Sequence, residues 1–436
     1  MENKKLKVVW VACFMNSEVR NALQFRNQVL FKLAGKLLGH RQRFVDTDYC
    51  QWVTNGITEF KEFGDIELHV ITYASNLKNI IENFTINNIH YHIYNPHDSS
   101  ITRRIINKLF KINNNYTKDR ATIQSIIKQI NPDIIHIIGA ENPQYSISAL
   151  DMPKDKPLLV SLQTLMSVPG FLENYPINKE TYEYRSSIER KVLERADYIG
   201  TKTESHKEFI IKEIDNNANI LHLRLALGVD SIIDNSIKKV YDFVYFANNI
   251  NKAFDDALEC FAIAKKKHKH ITMNVIGSYD EDYIQRINNR IKELGITGSI
   301  TFEGRLATHH DVMLGIQKSR FALLPLKVDL ISGTIREAMI HGLPTLSTIT
   351  PATPNLNAKR ESILLSEIGD YISMANNMCK LLENDEFAQE LGNNGIKTIE
   401  ETFNNNKFME EWRKAYYQII ENFHNNIPFT EDIKPD

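Results

Sequence analysis

The chain has little of what many specialised proteins are built on. Four cysteines in 436 residues (Cys13, Cys50, Cys260 and Cys379) stand without CxxC or Cys/His spacing, so neither a zinc site nor a disulfide framework is indicated and no metal ligands are expected, which suits a reducing compartment. No stretch reaches the ~18 apolar residues of a membrane span. The apolar run of the N-terminus MENKKLKVVWVACF is only a strand long before polar MNSEVRN, unlike a signal peptide, so a cytoplasmic location is expected. Charge of neither sign prevails: 52 basic residues face 54 acidic ones for a net charge of -2, which speaks against nucleic acid as a partner. Glycine is missing after the first strand pattern, where a nicotinamide enzyme would want G-x-G-x-x-G. No repeat appears at solenoid periods, and the Asn-rich pieces KINNNYTK and ETFNNNKF read as solvated loops.

What is present is length, a 42% apolar fraction and a regular alternation. The chain suffices for two domains of about 200 residues, each with its own core. Short β-rich runs (LKVVWVACF, IELHVIT, IHYHIY, DIIHIIG, PLLVSLQ, DYIGT) alternate with helical-period segments, the pattern of a parallel sheet with crossover helices. The alternation restarts with YDFVYFA, ITMNVIG, SITFEG, FALLPL and PTLST, after a polar join between Gly228 and Lys239. Beyond residue 370 only helical patterns follow, ending in NKFMEEWRKAYYQIIENF and the polar tail IPFTEDIKPD. The expected class is α/β: two tandem Rossmann-like domains facing across a cleft, residues 1–232 and 233–400. Helix 401–424 is expected to return to the first domain, ahead of a mobile tail at 425–436. Such a cleft is a natural ligand site, because strand C-termini and helix N-termini converge there.

The most informative stretch is PLKVDLISGTIREAMIHGLPTLST. Pro325 ends the strand FALLP, Ser332 to Thr334 offer a helix start, and Gly342 and Pro344 close the helix before the next strand. A small-residue helix start leaves backbone N–H groups for an anion, and phosphate is the natural guest. Glu337, one turn inside, could accept hydrogen bonds from ribose hydroxyls, and Asp329, eight residues earlier, would face the other end of such a ligand. A capped surface helix, acidic in its first turn because the macrodipole favours it, fits the same spacing.

Two such domains, a late acid-loop-helix unit and a helical end together resemble the GT-B glycosyltransferases, and within them the retaining family 4 enzymes. The resemblance covers nearly the whole chain and is densest from Tyr241 to Ile420. Asp329, Glu337, Ala338, Met339, Gly342 and Pro344 follow the family's block of acid, seven residues, Glu-Ala-Met, Gly and Pro, with Asp329 a shorter acid than the usual Glu. In NNINKAFDDAL, Lys252 matches the family's diphosphate lysine. Ala247 or Asn248 stands where its arginine would be, a vacancy that Arg305 or another residue could fill. The resemblance also implies that FEGRL, with Gly304 and Arg305, borders the nucleotide base. The resemblance further implies donor contacts from Ser332, Gly333, Thr334 and Asn248. On the acceptor side, FMNSEVRNALQF lacks the family's Gly-Gly loop and leaves Asn16 and Ser17 as neighbours of the site. DIIHIIGAENPQYS resembles the strand with the acceptor histidine: His136 is present as a functional or a core histidine, Ile138 replaces the second histidine, and Glu141 could take over the acceptor contact.

The resemblance implies metal-independent transfer of a sugar from a nucleotide-diphosphate sugar to an acceptor hydroxyl, with retention, in assembly of a bacterial surface polysaccharide or glycan. Asp329, Glu337 and Lys252 would carry the donor chemistry, with no cofactor beyond the donor itself, and the leaving phosphate could serve as the base. The acceptor would be a saccharide, free or lipid-linked. Peripheral contact with the inner face of a membrane is an option for the basic-apolar segments Arg20 to Phe44 and TRRIINKLFKI, although core-packed helices explain them too. A nucleotide-sugar 2-epimerase on the same scaffold and a catalytically degenerate sugar-nucleotide-binding protein are alternatives. A metal-dependent GT-A enzyme would need a DxD pair, and the matches Asp46-Thr47-Asp48 and Asp280-Glu281-Asp282 are both explained by chance. A two-lobed sugar receptor would be exported.

Overall fold

The computed structural model describes residues 5–26, 48–97, 115–174, 177–201, 203–228, 232–234, 236–249, 253–327, 331–350 and 352–430. Two compact units divide the chain: residues 1–227 with 405–436, and residues 228–404.

The first unit is an eight-stranded sheet of β1 (Leu6–Ala12), β2 (Ile66–Tyr73), β3 (Ile81–Ile86), β4 (Ile89–Tyr94), β5 (Ile134–Ile138), β6 (Leu158–Ser161), β7 (Tyr198–Gly200) and β8 (Ile220–Leu221), in the order β3-β4-β2-β1-β5-β6-β7-β8. All neighbours are parallel except β3, which hairpins back on β4 through Asn87 and Asn88, both at positive φ. The central strands are continuous apolar runs because both faces are covered. On one face Trp10, Val8 and Leu68 pack with the C-terminal helix; on the other Val9, Val11 and Ile135 pack with helix Thr117–Ile130. Strand β3 (IENFTI) escapes the apolar-run reading because it is an edge strand with exposed polar alternation, and β8 is two residues long.

Helix Asn405–Asn425 belongs to this first unit. Phe408, Met409, Trp412, Ala415, Tyr416 and Ile419 recur at helical spacing and are all buried, a gross stabilisation of roughly 10 kcal/mol at about 1.5–3 kcal/mol per large side chain. Polar contacts fix its register. Trp412 Nε1 donates to the Arg224 carbonyl at 2.8 Å, and the Arg413 guanidinium grips both carboxylate oxygens of Asp65. Past the helix, Phe429 packs edge-on against Tyr198 and Thr430 bonds Gln418, so residues up to 430 lie against the first unit; the rest of the tail is outside the described residues.

The second unit is an entirely parallel sheet of β9 (Tyr241–Asn249), β10 (Met273–Ser278), β11 (Ile300–Gly304), β12 (Ser319–Leu323), β13 (Thr345–Thr348) and β14 (Leu364–Ser366), in the order β11-β10-β9-β12-β13-β14. Strand β14 was hidden in ILLSEIGD by its shortness. Helices Tyr371–Glu383 and Asp385–Thr402 complete this unit. Gly392 allows the second of them to touch the end of helix Gly333–Ile340: a Cβ there would lie 2.5 Å from the Gly342 carbonyl oxygen.

Candidate functional site

In the second unit the chain runs outward from β9 to β10 and β11, then returns to β12 on the other side of β9. The crevice at such a reversal, beyond the strand C-termini, is where open α/β sheets bind ligands. The loop after β9 carries Lys252, and the loop after β12 carries Asp329; both residues lie outside the described residues, as does the side chain of Asn248. What is described is the helix that the second loop enters. Ser332 caps it with extended backbone, and its Oγ accepts from the Ile335 N–H at 3.3 Å and meets Thr334 Oγ1 at 2.8 Å. Among the described residues the N–H groups of Gly333 and Thr334 are left without protein acceptors, as the first turn of a helix requires.

Two side chains gather at this helix start. A Cβ built on Gly333 would lie 3.6 Å from an Arg336 terminal nitrogen and 3.8 Å from Glu337 Oε1, so glycine keeps the space between them open. Arg336 is only 8% exposed, yet its Nε has no hydrogen-bond partner, and its guanidinium lies over the Phe403 ring at 5.2 Å. Burial pulls its pKa down to about 10, so the buried group remains a cation at neutral pH. Glu337 is pushed up by burial and drawn down by His309 and Arg336. His309 Nε2 stands 3.7 Å from Glu337 Oε1 and opens helix His309–Ile316, which is held by a Thr308–Asp311 capping box. The loop from Gly304 (φ +76) through Arg305 to Thr308 thereby leads from the end of β11 to the Glu337 carboxylate. His341 ties the helix end: Nδ1–H donates to the Glu337 carbonyl at 2.7 Å, and Nε2 accepts from the Ile232 N–H at 3.0 Å.

The sequence pointed to Glu337, Gly333, Ser332 and Thr334, and the structure brings them together. It adds Arg336 and His309, which the sequence reading missed. An arginine before a glutamate on a helix reads as a solvated side chain, and nothing in the spacing says that this one folds back under Gly333. His309 carried no signal.

In the first unit the reversal falls between β1 and β5. Cys13 Sγ lies 3.2 Å from Tyr73 Oη, which accepts from Asn142 Nδ2 at 3.2 Å, and Cys50, distant in sequence, draws the Cys13 pKa down. Gly139 (φ +96) makes the turn after β5; a Cβ there would lie 2.5 Å from Tyr145 Oη and 2.8 Å from Glu141 Oε2. Glu141 Oε2 is buried without a hydrogen-bond partner, and burial raises its pKa to about 7 with help from Glu189. Arg185 lowers that value only partly, since its Nε is donated to the Glu141 backbone carbonyl at 2.8 Å.

Asn16 and His136 have other employment. Asn16 Oδ1 caps helix Ser17–Ala22 by accepting from the Val19 N–H at 2.9 Å, with Ser17 exposed beside it. His136 is fully buried in mid-strand, so of its two sequence readings the core histidine is the one observed. Trp10 Nε1–H donates to Tyr416 Oη at 2.7 Å, the tyrosine proton goes to His136 Nδ1 at 2.7 Å, and Nε2–H then donates to Ser161 Oγ at 2.8 Å. Burial drops the His136 pKa to about 3, which keeps this chain neutral. The DxD matches are likewise occupied: Asp48 pairs with Arg20 at 2.6 Å, and Asp280 to Asp282 open helix Glu281–Glu293, while Asp46 and Thr47 lie outside the described residues. Also outside them are most of Arg20 to Phe44 and all of TRRIINKLFKI. Among the described residues no helix is long and apolar enough to cross a membrane. A polar pocket of about 410 Å³ lined by Asp197, Tyr198, Asn219 and Asn422 lies at the N-terminal ends of β7 and β8, away from both reversals.

Comparison with known proteins bears on the fold and on the second unit. Residues 233–398 match the family model of glycosyl transferases group 1. An uncharacterized glycosyltransferase of Methanocaldococcus jannaschii is 21% identical over 267 residues, 57% of this chain and 65% of that protein, so the match spans just under two thirds of its length. Sucrose-phosphate synthase from Thermosynechococcus elongatus is similar in fold with a TM-score of 0.64 at 13% identity, over 95% of this chain and 99% of that one. An E. coli structure described as trehalose-6-phosphate bound with UDP-2-fluoro glucose gives 0.63 at 11% identity, over 94% and 99%. Residues 233–398 therefore form a glycosyl transferases group 1 domain, and the chain that carries them has the GT-B fold.

Proposed function

We propose that the protein is a retaining, metal-independent glycosyltransferase that moves a hexose or related sugar from a nucleoside diphosphate to a hydroxyl of a saccharide acceptor, in the assembly of a surface polysaccharide or glycan. The observation that carries this reading is Arg336: a buried cation with an unpartnered Nε, at an open helix start, beside a carboxylate, inside the group 1 domain. A buried cation without an acceptor is costly, and an anionic ligand at the helix start supplies one. A diphosphate fits the orphan N–H groups, the positive end of the helix and the guanidinium together.

In this reaction the bond between the anomeric carbon and the leaving phosphate oxygen breaks, and the acceptor oxygen bonds to the same face of that carbon. The acceptor proton passes to the departing phosphate. Arg336, the Gly333 and Thr334 N–H groups and Lys252 stabilise the charge growing on the diphosphate, a stabilisation usually worth more than any other single catalytic effect. Arg336 thus fills the place left by the arginine missing after β9. Glu337 takes the ribose hydroxyls, Asp329 the donor sugar and Glu141 the acceptor hydroxyl.

The test is thermal stabilisation by a panel of nucleotide sugars. Uridine diphosphate sugars come first, because a structural neighbour is bound with UDP-2-fluoro glucose. Wild type is expected to be stabilised and Glu337→Ala not; no response in wild type, or equal responses, overturns the assignment. With donor and acceptor identified, turnover should survive EDTA, and consumption of donor should require the acceptor. Loss of activity to EDTA that magnesium or manganese restores would overturn the metal-free step.

A further inference from the structure

Outside both strand reversals, the edge of the first sheet carries a group of ligating side chains that the transferase reading does not use. His69 on β2 and His90 on β4 are direct register partners on parallel strands, so their rings share one face and stack with centroids 4.6 Å apart. Glu67, two residues before His69, points to the same face by the two-residue period of a strand, and its Oε1 lies 2.9 Å from His69 Nε2. One ligand atom from each of Glu67, His69 and His90 lies within 4.8 Å of the other two.

The surroundings set the ring nitrogens. His69 Nδ1 meets His92 Nε2 at 3.0 Å, His92 Nδ1 meets Asn83 Oδ1 at 2.8 Å, and His90 Nδ1 meets Thr85 Oγ1 at 2.9 Å. Asn83 and Thr85 come from β3, opposite His92 and His90 in its antiparallel pairing with β4. If each Nδ1 carries the proton, every one of these contacts is a proper donor–acceptor pair: His69 to His92, His92 to Asn83, His90 to Thr85. The Nε2 lone pairs of His69 and His90 are then free, and that of His69 faces a carboxylate oxygen at 2.9 Å. With its proton on Nε2, His69 donates to Glu67 Oε1; with Nε2 bare, that lone pair and the carboxylate oxygen converge on one spot, as the ligands of a cation do. Outer hydrogen bonds that fix the tautomer and orient the ring are what metal-bound histidines normally have.

We propose that Glu67, His69 and His90 form a zinc site on the outer face of the β2–β4 ladder, with water completing the coordination. Two imidazoles and a carboxylate suit zinc in ligand type and number for a site that keeps one open position. The metal joins the neighbouring strands β2 and β4, just inside the edge strand β3, and stabilises the first unit, apart from sugar transfer. Lys7 Nζ, 3.7 Å from Glu67 Oε1, is the charge that opposes the metal.

The experiment is calorimetric titration of zinc chloride into the full chain after dialysis against a chelator, with melting temperature measured in parallel. Wild type is expected to bind one zinc per chain and to melt higher with zinc present. His69→Ala and His90→Gln should each weaken binding about 10–100-fold, and Lys7→Ala should strengthen it a few-fold. His90 is only partly buried, so His90→Gln keeps the test valid if His69→Ala does not fold. Absence of zinc binding to wild type overturns the proposal. So does binding that is undiminished in a variant with wild-type circular dichroism.

Discussion

Each unit places a carboxylate at its strand reversal, Glu337 in the second and Glu141 in the first, and the two are treated differently by their neighbours. Burial raises both. Around Glu337 the opposing groups are His309 and the Arg336 guanidinium, which draw its pKa part of the way back down. Around Glu141 the larger charge effect comes from another acid, Glu189, and Arg185 donates its Nε–H to the Glu141 backbone carbonyl instead. The same burial is therefore opposed by two neighbours in one unit and reinforced by a second acid in the other, where the carboxyl changes protonation near neutrality. In the proposed reaction the first would meet the ribose hydroxyls and the second would orient the acceptor hydroxyl.

Four experiments would break or sharpen this contrast. The largest effect is expected from Arg336→Met, which keeps the packing on Phe403 and removes the charge. Steady-state kinetics should show kcat lower by roughly 10²–10³-fold, the usual cost of losing one charge-stabilising donor; an unchanged kcat would make the guanidinium merely structural. Next, Glu337→Gln should weaken nucleotide-sugar binding by about 10–100-fold, as expected for hydrogen bonds to a charged group, read by titration calorimetry. If binding is unchanged while kcat falls, the carboxylate belongs to the chemistry and not to the ribose.

Third, the Glu141 contrast predicts a pH signature. Ionised Glu141 is the form that accepts from a hydroxyl, so kcat/KM for the acceptor should rise as pH passes about 7, and Glu141→Gln should lack that rise. Stability moves the other way. The folded state holds a proton that the unfolded chain releases from about pH 4.5, so unfolding free energy should fall between about pH 4.5 and 7 and level off above, with a shallower slope in the variant. The smallest effect concerns the supporting frame. Tyr416→Phe leaves Trp10 and His136 each short of a partner, which should cost about 1–3 kcal/mol in denaturant unfolding and leave turnover unchanged.

The fold was largely legible because its central strands are buried on both faces. Runs such as LKVVWVA and DIIHIIG must be apolar throughout, and that pattern survives in one dimension. Strand β3 was not legible, since an edge strand with polar outward residues resembles a loop, and its pairing depends on Asn87 and Asn88 turning back on β4. In the site, the position of Glu337 one turn inside its helix could be read because it depends only on distance along the chain. Arg336 and His309 could not, because their roles depend on where a long side chain folds and on a loop from another strand. His136 shows the same limit from the opposite side. Its strand position was correct, but only the tertiary contact with Tyr416, 280 residues away, shows that both of its nitrogens are taken.

That contact also bears on how the protein is made. Tyr416 and Trp412 cover Trp10 and His136, yet the whole second unit is translated between Leu227 and Asn405. At about 5–20 residues per second the ribosome needs on the order of ten seconds or more for that interval. Throughout it the first sheet waits with an apolar face and two unsatisfied polar groups bare, while the second unit, continuous in sequence, can fold at once. The unit begun first is thus the one finished last, and a nascent chain stalled before residue 405 should be the species that chaperones hold and proteases find.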